Sequence, residues 1–481
     1  MNAAATSSRA EATPQLPIAP QLAGFALGLQ LDQVPAAVRE RAKHLLLDAI
    51  GLAYASHDYD FAQVSLRAMQ ALGSGPATVI GHGRLLQPRD AMLMNGVLVH
   101  GLDFDDTHSR GVIHATASIF PCVLGSAERV AASGAQMLAA YIAGMEVATR
   151  VGAVAQGGFH QVGFHPTGVA GVFGCAVAAA RLDGLNARQA AMAQGIALSM
   201  ASGSLEFLQD GAWTKRIHPG WAAGAGMTAA VLAKQGFIGP QAPYEGRFGL
   251  YASYLGEMRA QADLSLATAG LGQQWQIEEV AIKPIPACHF THAAADAAVA
   301  LHNQLGTEGS ASFAQSIAGI ARVRVKVPQQ VVKTVCEPVA NKRRPANSYE
   351  AQFSIPYIVA SGLLKGRFTL DELEPAALAD AAVLALAGKV DYEIDPDSTF
   401  PRHYTGEVIL EMNGGRQLSH REAINRGSAD RPLTNHDISD KYFINAKRAL
   451  PESRAAQIRE TVLSLERLEA GALHALLAEP I

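Results

Sequence analysis

The feature that most constrains this chain is a helical pattern of apolar residues that extends from Pro17 to about Gly272. In segment 41–55 these residues recur at spacings of three and four, on one helical stripe: Ala42, Leu45, Leu46, Ala49, Ile50 and Ala53. Two later helices are predicted to begin at Pro166 and Pro219, because the fixed φ of proline suits the first helical position. Their many glycines and alanines let neighbouring helices approach closely. The pattern therefore predicts a large, densely packed helical domain.

The pattern changes near Trp275, where short segments typical of strands begin. Residues 320–327 alternate valine with arginine or lysine, which indicates a strand with one solvated face. Segments 390–394 and 407–412 are two further strand candidates, and the second is followed by an Asn-Gly-Gly turn. Helical patterns lie between these strands. A smaller α+β unit is therefore expected.

Helical periodicity returns after Asp430 and continues to about Ala478. The simplest account is that these last helices rejoin the first domain, which makes the α+β unit an insertion. We therefore predict a mainly α fold, with a large all-helical domain formed by both chain ends and an inserted smaller α+β lid domain. The expected divisions are a disordered lead-in at 1–16, helical parts at 17–274 and 426–481, and the lid at 275–425.

The composition excludes several classes of partner. A net charge of −4 over 481 residues leaves no general cationic field for nucleic acid or an anionic membrane surface. The four cysteines lack the close spacing of a zinc or iron–sulfur site, and residues 1–15 lack the apolar stretch of a secretory signal. We expect a cytoplasmic protein that binds neither nucleic acid nor membrane.

The sequence lacks the standard signatures of several enzyme classes. It contains no Walker phosphate loop, no GxGxxG turn, no GxSxG elbow and no HExxH zinc helix. These absences disfavour nucleotide chemistry and serine hydrolysis. Candidate residues must come from less familiar clusters of ionisable groups.

The densest such cluster follows the apolar helical run 91–99 and consists of His100, Asp103, Asp105, Asp106, His108 and His114. So many ionisable groups are costly to bury unless they pair or take part in chemistry. One interpretation is a helix end capped by aspartates with solvated histidines. A second is a catalytic site. A third is a divalent metal site, because carboxylate and imidazole suit several metals.

Two further motifs lead into the proline-started helices. His165 lies just before Pro166, where unpaired N–H groups and the helix dipole favour an anionic ligand. Lys215, Arg216 and His218 precede Pro219 and have the composition expected for binding carboxylates. A packing histidine and a solvated loop are the alternative interpretations of the two motifs.

The segment 283–292 lies where the second domain is expected to begin. It contains His289 and His292, which share one face if a helix has already started there. Cys288 is either a structural thiol or a nucleophile beside His289. The segment adds histidines from the α+β unit to a candidate site.

In this order the motifs resemble the MmgE/PrpD family, which includes 2-methylcitrate dehydratase, cis-aconitate decarboxylase and iminodisuccinate epimerase. The segments that carry the resemblance are HGLDFDDTH at 100–108, GFHPTGVAGVFG at 163–174, KRIHPG at 215–220, KPIPACHFTH at 283–292 and YEAQFSIPY at 349–357. The resemblance extends over residues 17–478. The ordered combination is far more specific than any single motif.

The resemblance implies a homodimer that needs no metal or organic cofactor and has its active site in the cleft between the two domains. It implies that the pocket is lined by Asp103, Thr107, His114, His165, Lys215 and Tyr357. It also adds His289 or His292 from the lid, without deciding between them. We include as candidate substrate-binding residues His108, Arg216 and His218.

The expected chemistry is proton transfer at a carbon next to a carboxylate. Lys215, helped by Arg216, would bind substrate carboxylates, and His165 and His114 would carry protons. Asp103 would orient a histidine or act as a base, and Tyr357 would donate a proton.

We predict a cofactor-independent lyase, either a dehydratase or a decarboxylase, that acts on a small di- or tricarboxylate. An epimerase or isomerase using the same site is the alternative. Two hypotheses from other classes are a non-catalytic helical dimer and a metal-dependent hydrolase. The metal would be bound by Asp103, Asp105, Asp106 and His108.

Overall fold

The structure is a computed structural model that describes residues 17–307 and 313–481. The predicted disordered lead-in at 1–16 lies outside the described residues. The first part is mainly helical, as predicted, and consists of α1 (Ile18–Gly28), α2 (Ala36–Ala55), α3 (Asp60–Leu72), α4 (Pro88–His100), α5 (Ala115–Val130), α6 (Gly134–Val154), α7 (Gly158–Gln161), α8 (Pro166–Leu182), α9 (Ala187–Leu198), α10 (His218–Lys234) and α11 (Leu250–Tyr254). Two short strands, β1 (Ala77–Val79) and β2 (Gly83–Leu86), pair antiparallel between α3 and α4.

Helix α8 lies at the centre of the helical part, where it packs against α5, α6, α9 and α10. It begins at Pro166 as predicted, and α10 begins one residue before Pro219. Helix α6 is long and apolar enough to cross a membrane, but its apolar stretch is buried inside the protein. Buried core helices of soluble proteins pass the same test, so α6 is weak evidence for a membrane span.

Helices α4 and α10 cross in direct backbone contact. A Cβ atom added at Gly96 would lie 2.3 Å from the Cα of Gly220, and one added at Gly220 would lie 2.2 Å from the carbonyl oxygen of Leu93. Only glycine fits at such a crossing. The contact brings the turn that follows α4 beside the chain that precedes α10.

The second part contains the helices α12 (His292–Thr307), α13 (Phe313–Ala318), α14 (Val332–Val335), α15 (Val339–Arg343), α16 (Ser348–Ala351), α17 (Ile355–Lys365), α18 (Pro375–Leu378) and α19 (Ala381–Ala387). Its sheet has the order β6 (Val390–Ile394), β5 (Ile320–Val327), β7 (Gly406–Met412) and β8 (Gln417–Glu422). Strand β5 pairs parallel with β6 and antiparallel with β7. Its valines are buried and alternate with more exposed residues, as the sequence predicts.

A short pair of strands joins the two parts of the chain. Strand β3 (Thr107–His108) follows α4 and pairs antiparallel with β4 (Val280–Ala281). This pairing is long-range in sequence. It places the turn after α4 next to the beginning of the second part.

The last helices are α20 (Asn435–Ala446), α21 (Glu452–Leu463) and α22 (Ala472–Ala478). Helix α20 packs along α2 so closely that a Cβ atom at Gly51 would lie 2.9 Å from the ring of Tyr442. The C-terminal helices therefore contact the first helical part. The mainly α fold with a smaller α+β region is confirmed, while the residue limits of the domains stay a prediction.

The crossing of α4 and α10 leads to a stability prediction. Gly96→Ala forces the two backbones apart, and we expect it to lower the free energy of unfolding by about 1–3 kcal/mol. The matched control is Gly24→Ala, a helical glycine of α1 whose added Cβ would meet nothing within 4 Å among the described residues. Since alanine is the better helix former, the control should gain up to about 1 kcal/mol.

Thermal and urea denaturation of both variants measure these changes. Equal unfolding midpoints for Gly96→Ala and Gly24→Ala would show that the helices do not meet as closely as described.

Candidate active site

The site is built around a buried carboxylate that bridges two lysines. Asp103 Oδ1 accepts hydrogen bonds from Lys215 Nζ at 2.8 Å and from Lys283 Nζ at 2.6 Å. Lys283 Nζ also donates to the carbonyl oxygen of Asp103 at 2.8 Å. All three side chains are buried. Burial alone would raise the pKa of Asp103, but the two ammonium groups outweigh it and hold this pKa well below its ordinary value.

Each member of this bridge comes from a different segment of the chain. Asp103 lies in the turn after α4 with a φ of 51°, a left-handed conformation that aspartate tolerates better than most residues. Lys215 lies just before α10, and Lys283 lies two residues after β4. The sequence pattern assigns no role to Lys283, because the strand pairing that brings this residue to Asp103 is a tertiary contact.

His114 is oriented by the turn that contains Asp103. Its Nδ1 donates to the carbonyl oxygen of Asp106 at 2.7 Å, and the hydroxyl of Thr107 lies 3.2 Å from the same nitrogen. The backbone N–H of His114 donates to the hydroxyl of Thr167 in α8 at 3.0 Å. Burial and the nearby Lys283 hold the pKa of His114 well below its ordinary value, so its imidazole is neutral.

Two further histidines face His114. The ring of His100 lies 4.9 Å from that of His114 between centroids, and the ring of His165 lies 5.7 Å from it. His100 Nδ1 is paired with the carboxylate of Asp105 at 2.8 Å, and His165 Nδ1 lies 3.1 Å from Nδ1 of His218. Burial and the neighbouring His218 lower the pKa of His165 well below its ordinary value. The predicted substrate-binding His218 therefore contacts His165 and orients it.

These groups meet at a narrow internal cavity of about 30 Å³. The helical part and the α+β part both contribute to its wall, whose ionisable and polar side chains are Thr107, His114, His160, His165, Lys215, Cys288, His289 and Thr334. A cavity of this size holds one water-sized molecule, whereas ligand pockets measure about 300–1,000 Å³. A larger ligand therefore does not fit unless the lining side chains move.

The structure decides between the two histidines of segment 283–292. His289 lines the cavity, with its Nε2 at 2.9 Å from the side-chain amide of Asn425. His292 lies behind it, with Nε2 at 3.1 Å from the carbonyl oxygen of Ala287. Cys288 also lines the cavity, but burial raises the pKa of its thiol to about 11. A protonated thiol is a weak nucleophile, which argues against covalent catalysis by Cys288.

Tyr357 does not lie with the other candidates. Its hydroxyl donates to the carbonyl oxygen of Glu372 at 2.7 Å, and the residue does not line the cavity. The structure therefore does not support a catalytic Tyr357, whose hydroxyl proton is already used. The tyrosine near the site is Tyr349 of the same motif, whose ring contacts those of Phe207 and Phe353 in the cavity wall.

Arg216 and His108 are buried but do not line the cavity. The guanidinium of Arg216 donates through Nε to the carbonyl oxygen of Gly101 at 2.8 Å and lies 4.1 Å from the ring of Tyr349. His108 Nδ1 accepts from the backbone N–H of Gly111 at 3.3 Å. These side chains contact the turn around Asp103 from outside the cavity, and their predicted contact with substrate stays a prediction.

The metal site built from carboxylates is also not formed. Asp103 pairs with lysines, Asp105 pairs with His100, and Asp106 accepts from the hydroxyl of Thr116 at 2.8 Å. Burial, then the neighbouring Asp105, raises the pKa of Asp106 to about 8. Among the residues that the structure describes, the ligand atoms of these four groups do not converge as a metal site would require. The metal-dependent hydrolase that relied on them loses its site.

Comparison with known proteins supports one family over most of the chain. Residues 20–263 match the MmgE/PrpD N-terminal domain, and residues 285–467 match the MmgE/PrpD C-terminal domain. A cis-aconitate decarboxylase of Mus musculus is 28% identical over 461 residues, covering 93% of this chain and 90% of the relative. A cis-aconitate decarboxylase-like protein of Aspergillus oryzae is 27% identical over 469 residues, which cover 95% of this chain and 96% of the relative. A 2-methylcitrate dehydratase of Escherichia coli is 26% identical over 467 residues, which cover 89% of this chain and 90% of the relative.

The buried bridge leads to a second prediction. The substitution Asp103→Asn keeps the shape of the side chain, and asparagine also tolerates the left-handed backbone. However, it leaves two buried ammonium groups without their anion. We expect the free energy of unfolding to fall by about 3–5 kcal/mol, as measured by denaturation. The control Asp430→Asn removes an exposed partner of Arg402 and should change the midpoint little. Equal losses in the two variants would contradict a special role for the bridge.

The same variant has an expected pH dependence. The pKa of Asp103 is depressed in the folded state, so its charge stabilises the fold fully above the unfolded value of about 4. This stabilisation is lost as the pH falls below that value toward the folded pKa. The difference in unfolding midpoint between wild type and Asp103→Asn should therefore stay constant from about pH 7 to 5 and shrink below about pH 4. A difference that grows at acid pH would contradict the assignment.

Proposed function

The chain belongs to the MmgE/PrpD family, and from its site we propose that it is a lyase that decarboxylates or dehydrates a small di- or tricarboxylate. The observation that carries this proposal is the convergence of Lys215, His114 and His165 on one buried cavity, with Lys215 held by Asp103. The names of the relatives, cis-aconitate decarboxylase and 2-methylcitrate dehydratase, both refer to tricarboxylates and support the same substrate class.

Lys215 is the group that would bind a substrate carboxylate. Its ammonium group has three N–H donors, of which Asp103 takes one, and the side chain lines the cavity. The remaining donors are available to an anion inside. The cavity is small and its lining side chains are largely buried, and in such a low-dielectric site a fixed cation stabilises developing negative charge more strongly than it would in solution. Thr107 and His289 add polar contacts from the two sides of the cavity.

His114 and His165 are the proposed proton carriers. In a decarboxylation the bond between carbon and one carboxylate breaks, carbon dioxide leaves, and the remaining electron pair on carbon accepts a proton. In a dehydration one imidazole removes the proton next to a carboxylate while the hydroxyl leaves with another proton as water. Both imidazoles line the cavity, and their centroids lie 5.7 Å apart. A substrate that enters the cavity therefore lies beside both rings.

Asp103 acts in this proposal by positioning, not by accepting a proton. Its depressed pKa keeps the carboxylate ionised and makes it a weak base. Its hydrogen bond fixes the ammonium group of Lys215 at the cavity. The chain's own cation and imidazoles supply charge stabilisation and proton transfer, so we propose a reaction without a metal or an organic cofactor. A homodimer and a cytoplasmic location stay predictions of the sequence.

An epimerase is the second candidate, and the same pair of histidines favours it. Two imidazoles that face one cavity can remove a proton from one side of a carbon and return it from the other. The same site therefore serves either reaction. The substrate and the position of its leaving group decide between them.

Proton NMR in deuterated water tests the proposal directly. The purified protein is incubated separately with cis-aconitate, with 2-methylcitrate and with a panel of other di- and tricarboxylates. We expect one of them to lose carbon dioxide or water and to incorporate deuterium at the carbon beside a carboxylate. Deuterium incorporation without net turnover would instead support the epimerase. If no carboxylate binds, exchanges or reacts, the proposal fails.

Variants of the site give a further prediction. Lys215→Met should lower kcat/KM by at least about 100-fold, because the cation at the substrate carboxylate is lost. His165→Gln should lower kcat by about 100-fold to 10,000-fold with a smaller change in KM, because it removes a proton carrier. The matched control is Lys333→Met, an exposed lysine outside the cavity, which should keep wild-type turnover. Steady-state kinetics measure these changes, and circular dichroism checks that each variant is folded. Full activity in Lys215→Met would exclude this site.

A further inference from the structure

The two proposed proton carriers, His114 and His165, form a cluster with a third histidine, His100. The proposed function gives His100 no role. One ring nitrogen from each of His100, His114 and His165 lies within 4.8 Å of the corresponding nitrogens of the other two. All three side chains are buried. The centre of an equilateral triangle with sides of 4.8 Å lies about 2.8 Å from each corner, which is 4.8 Å divided by √3. This distance equals the length of a hydrogen bond.

The outer nitrogen of each ring is already held by the protein. Nδ1 of His100 pairs with the carboxylate of Asp105, Nδ1 of His114 donates to the carbonyl oxygen of Asp106, and Nδ1 of His165 contacts His218. Histidines that bind metals are commonly oriented in this way, with the second nitrogen bonded to a carboxylate or carbonyl group. The nitrogens left for a ligand are therefore the Nε2 atoms.

Two of these Nε2 atoms have no protein partner. Those of His100 and His165 are buried and accept or donate no hydrogen bond within residues 17–307 and 313–481. A buried polar atom without a partner costs about 1–3 kcal/mol. Two such atoms in one cluster indicate that the site is completed by a ligand.

We propose that His100, His114 and His165 bind one Zn²⁺ ion, or a transition metal of similar preference, and that this ion inhibits the proposed lyase. Three histidines with a fourth position open to a cavity are a known set of ligands for Zn²⁺ at bond lengths of about 2.0–2.1 Å. Each ring nitrogen would have to move inward by roughly 0.8 Å, the difference between about 2.8 Å and that bond length. Small side-chain rotations toward the cavity supply such a movement.

The chemistry of the surroundings favours this class of metal. Burial lowers the pKa of all three imidazoles, so their lone pairs are free for a metal. Ca²⁺ and Mg²⁺ prefer oxygen ligands, whereas imidazole suits zinc, copper and nickel. Asp103 and Asp105 together carry two negative charges against the two ammonium groups of Lys215 and Lys283, so these four groups are balanced in charge.

Inhibition by the ion is the part that rests on the proposed function. His114 and His165 are its proton carriers, and both line the cavity that the substrate would enter. An ion bound to their Nε2 atoms removes the lone pairs that proton transfer needs. The metal would therefore act as an inhibitor of the lyase.

Metal binding is tested on the full chain, freed of metal by dialysis against a chelator. Co²⁺, which has a visible spectrum, and Zn²⁺ are added, and metal content is measured after dialysis. We expect about one ion per chain and a tetrahedral Co²⁺ spectrum. His100→Gln should weaken binding by at least about tenfold. The matched control is His302→Gln, which removes a half-buried histidine bonded to the carbonyl oxygen of Leu363 and should bind metal as wild type does.

The outcomes separate this inference from the proposed function. Absence of stoichiometric binding, or equal loss in His100→Gln and His302→Gln, would overturn the metal site even if the metal-free protein turns over a carboxylate. Metal binding in a protein that turns over no carboxylate would leave the site standing and reject the lyase. Turnover that requires the metal would overturn inhibition by the ion. Turnover that Zn²⁺ inhibits, and that a chelator restores, is the expected result.

Discussion

The bridge from Lys215 through Asp103 to Lys283 is the interaction on which the rest of the site depends. It joins the turn after α4, the approach to α10 and the end of β4, three segments that are far apart in sequence. Two buried ammonium groups around one carboxylate are stable only as a set, because removing one partner leaves an uncompensated charge in the interior. The same carboxylate therefore fixes Lys215 at the cavity and, through Lys283, connects the two parts of the chain.

The rest of the site follows from the position of this turn. Backbone contact between Gly96 and Gly220 brings α4 and α10 together, so that the residues after one helix meet those before the other. The carbonyl oxygen of Asp106 then orients His114, and the carboxylate of Asp105 orients His100. Asp103 itself adopts a left-handed backbone, a conformation that persists where the surrounding contacts over-determine it. Rigid helices and a constrained turn thus place several ionisable groups at one small cavity.

Sequence patterns predicted the elements well and the contacts only in part. The apolar stripes predicted the helices, the alternating residues of 320–327 became a strand, and the ordered motifs indicated the family before any comparison. Tyr357 shows the limit, because a motif with two tyrosines does not reveal that Tyr349 contacts the cavity wall while Tyr357 donates to Glu372. Lys283 shows the converse, since a lysine in a turn has no sequence signal that distinguishes a bridging role from solvent exposure.

The sequence by itself determined the mainly helical architecture, the α+β segment and the motifs that contain the site, because helix and strand periodicity and proline positions act over a few residues. Only the tertiary structure decided that Asp103 binds two lysines, that His289 and not His292 reaches the cavity, and that His100, His114 and His165 converge. These contacts join residues separated by up to 180 positions. Their geometry depends on how whole helices cross and on which buried charges can be paired, and local sequence does not encode either one.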